Sequence, residues 1–176
     1  MTALGVHYKG NRDDLTDSVG LLISILVRYP EVATINFDPE QYLLKFTFIY
    51  SQVLGDNELD CLKEKVMDSI EVYSLLEGNE TRLVAISHQV CDNLTLIEVQ
   101  RDVGSLAQEE ITLIVELFHQ HLNNNLVTEE NERLIEEEMI AQEEMIEHML
   151  ESIKSSTENK SLFAFREEGR VLVFNK

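Results

Sequence analysis

Apolar residues recur at two different spacings along the chain, and these spacings predict a mixed α+β protein. Alternating apolar residues, or a high content of β-branched and aromatic residues, are typical of strands and mark residues 2–8, 32–37, 42–50, 82–90 and 94–101. Apolar residues at helical spacing mark residues 11–30, 56–78 and 105–122. Turn residues separate these segments, notably Pro39, Gly78 and the pair Asp92–Asn93.

The order of these elements predicts a known arrangement. From the start of the chain it is strand, helix, strand, strand, helix, strand, which is the order of a ferredoxin-like βαββαβ sandwich with an antiparallel sheet and helices on one face. A further strand and a third helix would extend that sandwich. A helix–hairpin–helix sheet with another strand order is the alternative.

The run Asn123–Asn125 interrupts the helical pattern and divides the chain. We therefore expect an α+β core domain over residues 1–125 and an assembly extension over residues 126–176. The extension begins with an acidic helix from Thr128 onward. Its apolar seam repeats at alternating spacings of four and three, with one polar member, at Ile135, Met139, Gln142, Ile146, Met149 and Ile153. Such a seam packs either on a partner helix or on its own domain.

A final hairpin is predicted over residues 162–174 and turns at Glu167–Glu168–Gly169. Both strands are apolar on both faces, so neither face is suited to water. A two-stranded ribbon is marginally stable alone. The hairpin must therefore join the main sheet, lie beneath the acidic helix or pair with another subunit.

Charge narrows the classes of partner. The chain has 33 acidic and 14 basic residues and a formal net charge of −19. A surface of that sign repels phosphate backbones, so direct nucleic-acid binding is disfavoured. It would attract a basic protein partner, although strong acidity is also a common route to solubility.

The cysteines and the apolar segments predict a cytoplasmic protein. Cys61 and Cys91 form neither a C-x-x-C pair nor a disulfide framework, which fits a reducing compartment. The first residues lack the basic stretch and long apolar core of a secretory signal. The most apolar segment, residues 19–27, is too short to cross a membrane, so no membrane association is expected.

Motifs for catalysis or cofactor binding are absent from the sequence, so we expect a non-enzymatic protein without a cofactor. There is no phosphate-binding loop, dinucleotide glycine fingerprint or nucleophile elbow. Glu144 and His148 lie one helical turn apart and are weak metal-ligand candidates. A solvated acidic helix face is the simpler explanation.

These patterns predict an interaction or regulatory protein that self-associates as a homodimer through the acidic helix and final hairpin. The expected interaction residues are Ile135, Met139, Ile146, Met149, Ile153, Phe163, Phe165, Val171, Val173 and Phe174. A small-molecule-sensing regulatory domain of ferredoxin-like type is the alternative. A metalloprotein that uses the region of Glu144 and His148 is the third hypothesis.

Overall fold

A computed structural model describes residues 5–9, 17–80, 83–128, 134–155 and 160–175, and within these ranges the fold is α+β. Its strands are β1 (Gly5–Lys9), β2 (Thr34–Asp38), β3 (Leu43–Tyr50), β4 (Val84–Cys91), β5 (Leu94–Asp102), β6 (Leu162–Glu167) and β7 (Arg170–Asn175). Its helices are α1 (Asp17–Arg28), α2 (Asp56–Glu77), α3 (Gln108–Leu122) and α4 (Glu136–Lys154), with 3₁₀ turns at Val103–Ser105 and Asn123–Asn125.

All of these strands belong to one sheet, in the order β1-β7-β6-β2-β3-β5-β4. The six strands from β7 to β4 are antiparallel, and β1 joins β7 in parallel. The ferredoxin-like arrangement expected from element order is not confirmed, since β1 pairs with β7 and β2 lies between β6 and β3. Segments 1–125 and 126–176 thus contribute strands to the same sheet.

The helices cover one face of the sheet. Buried residues of all four helices share one core with the inward residues of the strands. The clearest single contact is between Phe48 of β3 and Phe118 of α3, whose rings stack with centroids 3.9 Å apart. Helices α1 and α4 pack against each other, and α1 also contacts β6, β7 and β2. The core therefore lies between the sheet and a single helical layer.

Local chemistry explains where several elements end. Helix α2 stops at Gly78, whose φ of 72° is left-handed, and the N–H groups of Gly78 and Asn79 bond to the last carbonyl groups of the helix. The β6–β7 turn places Glu168 and Gly169 at φ 50° and 75°. Two positive φ values match the twist of a two-residue hairpin turn.

Some expected boundaries differ from the structure. The first strand was expected over residues 2–8; residues 2–4 lie outside the described residues, and β1 continues one residue further than expected, to Lys9. The expected helix cap Asn11 lies outside the described residues. The acidic helix was expected from Thr128, yet α4 begins at Glu136, and residues 129–133 between them also lie outside the described ranges. Among the described helices, none combines the length and apolarity that crossing a membrane requires.

Candidate functional site

A buried ion cluster lies where β5 meets α3. The guanidinium of Arg101 makes two hydrogen bonds to Glu110, with Nε–Oε2 at 2.5 Å and Nη2–Oε1 at 2.9 Å. Its Nη1 also donates to Asp102 Oδ1 and to the carbonyl oxygen of Leu83. The side chains of Arg101 and Glu110 are 0% and 1% exposed, so the cluster is closed to any substrate.

The electrostatics of this cluster favour its charged forms. Burial acts to raise the pKa of Asp102, but hydrogen bonds from Ser105 and from the N–H of Leu83, with the charge of Arg101, hold that pKa below its ordinary value. Burial acts to lower the pKa of Arg101, and Glu110 and Asp102 together raise it. Each charged partner is satisfied within the fold, so the cluster stabilises the β5–α3 connection.

Among the described residues, the metal candidates Glu144 and His148 have no third ligand beside them. Glu144 and His148 are both exposed on α4. In the part of the chain that the structure describes, no group of three or more His, Cys, Asp or Glu side chains could hold a metal ion. Cys61 and Cys91 are free and exposed, and His88 lies 3.1 Å from Lys63 through its Nδ1 atom.

The expected interaction residues divide into two groups. Five are buried in the core of this chain: Ile146, Met149, Ile153, Val171 and Val173. The others keep access to solvent, with Ile135 exposed and Met139, Phe163, Phe165 and Phe174 half-buried. On α4 the seam is thus buried from Ile146 onward and accessible before it. On the hairpin, one face is buried and the other is not.

That second hairpin face belongs to a larger surface, which we call the open face of the sheet. Alternation in β2, β3, β5, β6 and β7 places these half-buried residues opposite the helical layer. Its members are Thr34, Asn36, Asp38, Lys45, Thr47, Ile49, Leu96, Glu98, Gln100, Phe163, Phe165, Arg170, Leu172 and Phe174, with Asp38 and Arg170 at the ends of their strands. No described helix packs over it, because the buried residues of all four helices lie in the core on the other side.

Aromatic rings dominate one half of the open face. Phe165 lies between Phe163 and Phe174, and both pairs of ring centroids are 5.5 Å apart. Beside them is a groove of ≈ 570 Å³, whose lining includes Ile49 and Val127. Val127 reaches this position because its N–H bonds to the carbonyl oxygen of Ile49 at the end of β3. The open face therefore combines an aromatic cluster with an apolar groove.

Charge is sparse at the centre of the open face. Lys45 and Glu98 lie in adjacent cross-strand rows of β3 and β5, and Gln100 donates to Glu98 at 2.8 Å. The other central members are apolar or neutral. This is unusual in a chain of net charge −19, and it makes the open face the best candidate for contact with another macromolecule.

The sequence indicated the open face only in part. The apolar residues on both sides of the final hairpin predicted a contact surface there, and Phe163, Phe165 and Phe174 are members of it. Ile49 was missed, although the alternation Lys45, Thr47, Ile49 places it on the same side of β3. The buried cluster around Arg101 was also missed, because a single arginine at the end of a strand carries no sequence signal.

Comparison with known proteins adds no assignment. No protein-family model matches the chain, and no curated protein or solved structure is significantly similar to it.

Proposed function

We propose that this chain is a non-enzymatic protein-interaction protein that forms a homodimer through the open face of its sheet. The observation that supports the proposal is the aromatic half of that face, formed by Phe163, Phe165 and Phe174 without a covering helix among the described residues. Two open faces would pack sheet against sheet at a spacing of about 10 Å. The final hairpin contributes its outer side, while its inner side completes the core.

Charge favours a second copy as the occupant of this face. Helix α2 has seven acidic and two basic residues, and helix α4 has seven acidic and one basic residue. Both helices lie on the opposite side of the sheet from the open face. A dimer through the open face therefore keeps the acidic helices of the two copies apart and brings nearly neutral surfaces together.

The experiment compares the mass of the wild-type protein with that of Phe163→Thr/Phe165→Thr by light scattering after size-exclusion chromatography. Threonine suits a strand and removes both aromatic rings. We expect a wild-type dimer and a monomeric double variant. Circular dichroism should show the same secondary structure in both, because these side chains face away from the core.

A matched control removes two exposed apolar side chains from α4. Ile140 and Met145 are 48% and 50% exposed, and Ile140→Gln/Met145→Gln should leave the dimer intact. A monomeric wild type at all concentrations would refute the proposed dimer. Loss of the dimer only in the α4 variant would assign the interface to α4 and refute the role of the open face.

A further inference from the structure

Strand β4 forms the last strand of the sheet, at the end opposite β1. It pairs with β5 on one side, and no described residue pairs with its other side. Cys91 and Leu94 flank the two-residue turn at Asp92–Asn93, so they form a hydrogen-bonded pair. Hydrogen-bonded and non-hydrogen-bonded pairs alternate along an antiparallel ladder. The N–H and C=O groups of every second residue therefore point away from β5, toward the outer edge, and these residues are Val84, Ile86, His88 and Val90.

This edge lacks the devices that usually prevent strand addition. Protective edge strands are short or carry proline, charged residues or a bulge. β4 has the sequence VAISHQVC, with no proline and no Lys, Arg, Asp or Glu. Its eight residues pair with β5 in continuous register, without a bulge. The strand therefore presents a long, regular row of backbone donors and acceptors.

Helix α2 lies above this edge and leaves a groove beside it. The groove has a volume of ≈ 330 Å³ and is lined by Met67, Ile70, Leu75 and Val84, with Glu71 and Glu80 also in the lining. Leu75 is 73% exposed. An added strand would direct every second side chain to the helical side of the sheet, where this groove lies. Backbone pairing and side-chain recognition are thus available together.

The acidic residues around the groove favour a basic segment as its occupant. α2 carries seven acidic and two basic residues, and Glu80 follows it. A second copy of the chain would bring another acidic α2 to the same edge, and the two would repel each other. A segment with basic residues would instead be attracted.

We propose that the outer edge of β4 and the α2 groove bind an extended peptide segment of a partner protein, in which apolar and basic residues occupy the alternate positions that face the groove. The segment adds to the sheet beside β4, its backbone pairs with the outward groups of Ile86 and His88, and its apolar side chains enter the groove. Its basic side chains point to the same side of the sheet and lie near Glu71 and Glu80. This surface is separate from the open-face aromatic cluster, which lies on β6 and β7 at the other end of the sheet.

The first test measures amide hydrogen exchange in the wild-type protein by NMR, with and without a peptide about eight residues long, in which every second residue is threonine and the positions between are valine and lysine. Without peptide, the amides of Ile86, His88 and Val90 should exchange rapidly, whereas those of Ser87 and Gln89 are held by β5. The peptide should slow exchange at the outward amides of Ile86, His88 and Val90 and leave exchange at Ser87 and Gln89 unchanged. Unchanged exchange at these outward amides with saturating peptide would overturn the proposal.

The second test measures binding of the same peptide, labelled with fluorescein, to two single-substitution variants at His88. His88→Pro removes an outward N–H without breaking the β4–β5 ladder, and should weaken binding at least about tenfold. His88→Ala keeps that N–H and should bind within about twofold of wild type. Equal binding by His88→Pro and wild type would show general electrostatic attraction and refute strand addition.

A third pair of variants tests charge recognition by the groove. Glu71→Gln/Glu80→Gln should weaken peptide binding several-fold, while Glu144→Gln/Glu147→Gln, an equal change of charge on exposed positions of α4, should not. Equal weakening by both pairs would refute specific recognition by the groove. Phe163→Thr/Phe165→Thr should bind peptide like wild type, so the failure of this proposal and the failure of the proposed dimer can be told apart.

Discussion

The guanidinium group of Arg101 has no solvent exposure, and its charge is balanced by the carboxylates of Asp102 and Glu110. Transferring a cation from water into the protein interior costs several kcal/mol. The attraction of Glu110 and Asp102 offsets that cost only while both ion pairs keep good geometry. The bidentate pairing with Glu110 supplies this geometry. The cluster therefore makes the β5–α3 connection sensitive to loss of any one partner.

Arg101→Met should lower the free energy of unfolding by about 3–5 kcal/mol, because it leaves the Glu110 carboxylate buried without a counter-ion. Urea unfolding followed by circular dichroism measures this loss. The double variant Arg101→Met/Glu110→Leu should recover much of it, since the Glu110 carboxylate is then gone and Asp102 still accepts hydrogen bonds from the N–H groups of Leu83 and Ser105. As a control, Arg28→Met removes the partly exposed pair with Glu143 and should cost about 1 kcal/mol or less. Equal losses for Arg28→Met and Arg101→Met would contradict this account.

Residues of this kind define the limit of prediction from sequence. Arg101 was expected to end a strand, and Glu110 resembles any acidic residue in the first turn of a helix, where it is favoured by the helix dipole. Their pairing depends on how the 3₁₀ turn at Val103–Ser105 brings α3 over the end of β5. That geometry is tertiary, and no spacing along the chain encodes it.

Helix α4 shows how one apolar seam can have two environments. From Ile146 onward the seam packs into the core, and the Met149 sulfur lies so near Gly20 of α1 that a Cβ there would be 2.8 Å away. Glycine at this position allows the close approach of α1 and α4. Before Ile146 the seam is accessible, with Ile135 58% exposed. The helix is held by its C-terminal half.

Ile146→Ala should reduce the free energy of unfolding by about 2–5 kcal/mol, because the side chain is fully buried and its loss leaves a cavity. Ile140→Ala is the matched control, since Ile140 is half exposed on the same helix and its loss should change stability by about 0.5 kcal/mol or less. Chemical denaturation of both variants gives the comparison. A small effect of Ile146→Ala would mean that α4 is not anchored to α1 in solution.

At the scale of elements, sequence periodicity was sufficient to predict strands and helices but not their arrangement. The hairpin of β4 and β5 was predicted with its turn at Asp92–Asn93, because alternation and turn residues are local signals. The parallel pairing of β1 with β7 and the pairing of β6 with β2 join distant parts of the chain. Because β6 and β7 are apolar on both faces, their sequence fits three locations equally: in the main sheet, beneath the acidic helix or against another subunit.

The whole molecule separates its charge from its apolar surface. The acidic side chains of α2 and α4 lie on the helical layer, whereas the centre of the open face carries only Lys45 and Glu98. The net charge of −19 indicated solubility or a basic partner, but composition contains no information on where charge is sparse. That distribution is what gives the two proposed contacts opposite electrostatics.

Salt should therefore act on the two contacts in opposite directions. Two copies of net charge −19 repel each other at long range, so screening should strengthen the dimer, while the attraction between the α2 groove and a basic peptide should weaken. The Debye length falls from about 10 Å to about 3 Å as ionic strength rises from 0.1 M to 1 M. Over that range of sodium chloride, analytical ultracentrifugation should show a falling dimer dissociation constant. Fluorescence anisotropy should show a rising peptide dissociation constant. If salt weakened the dimer as well, charge pairs would hold the two copies together, and the nearly neutral open face would not be the interface.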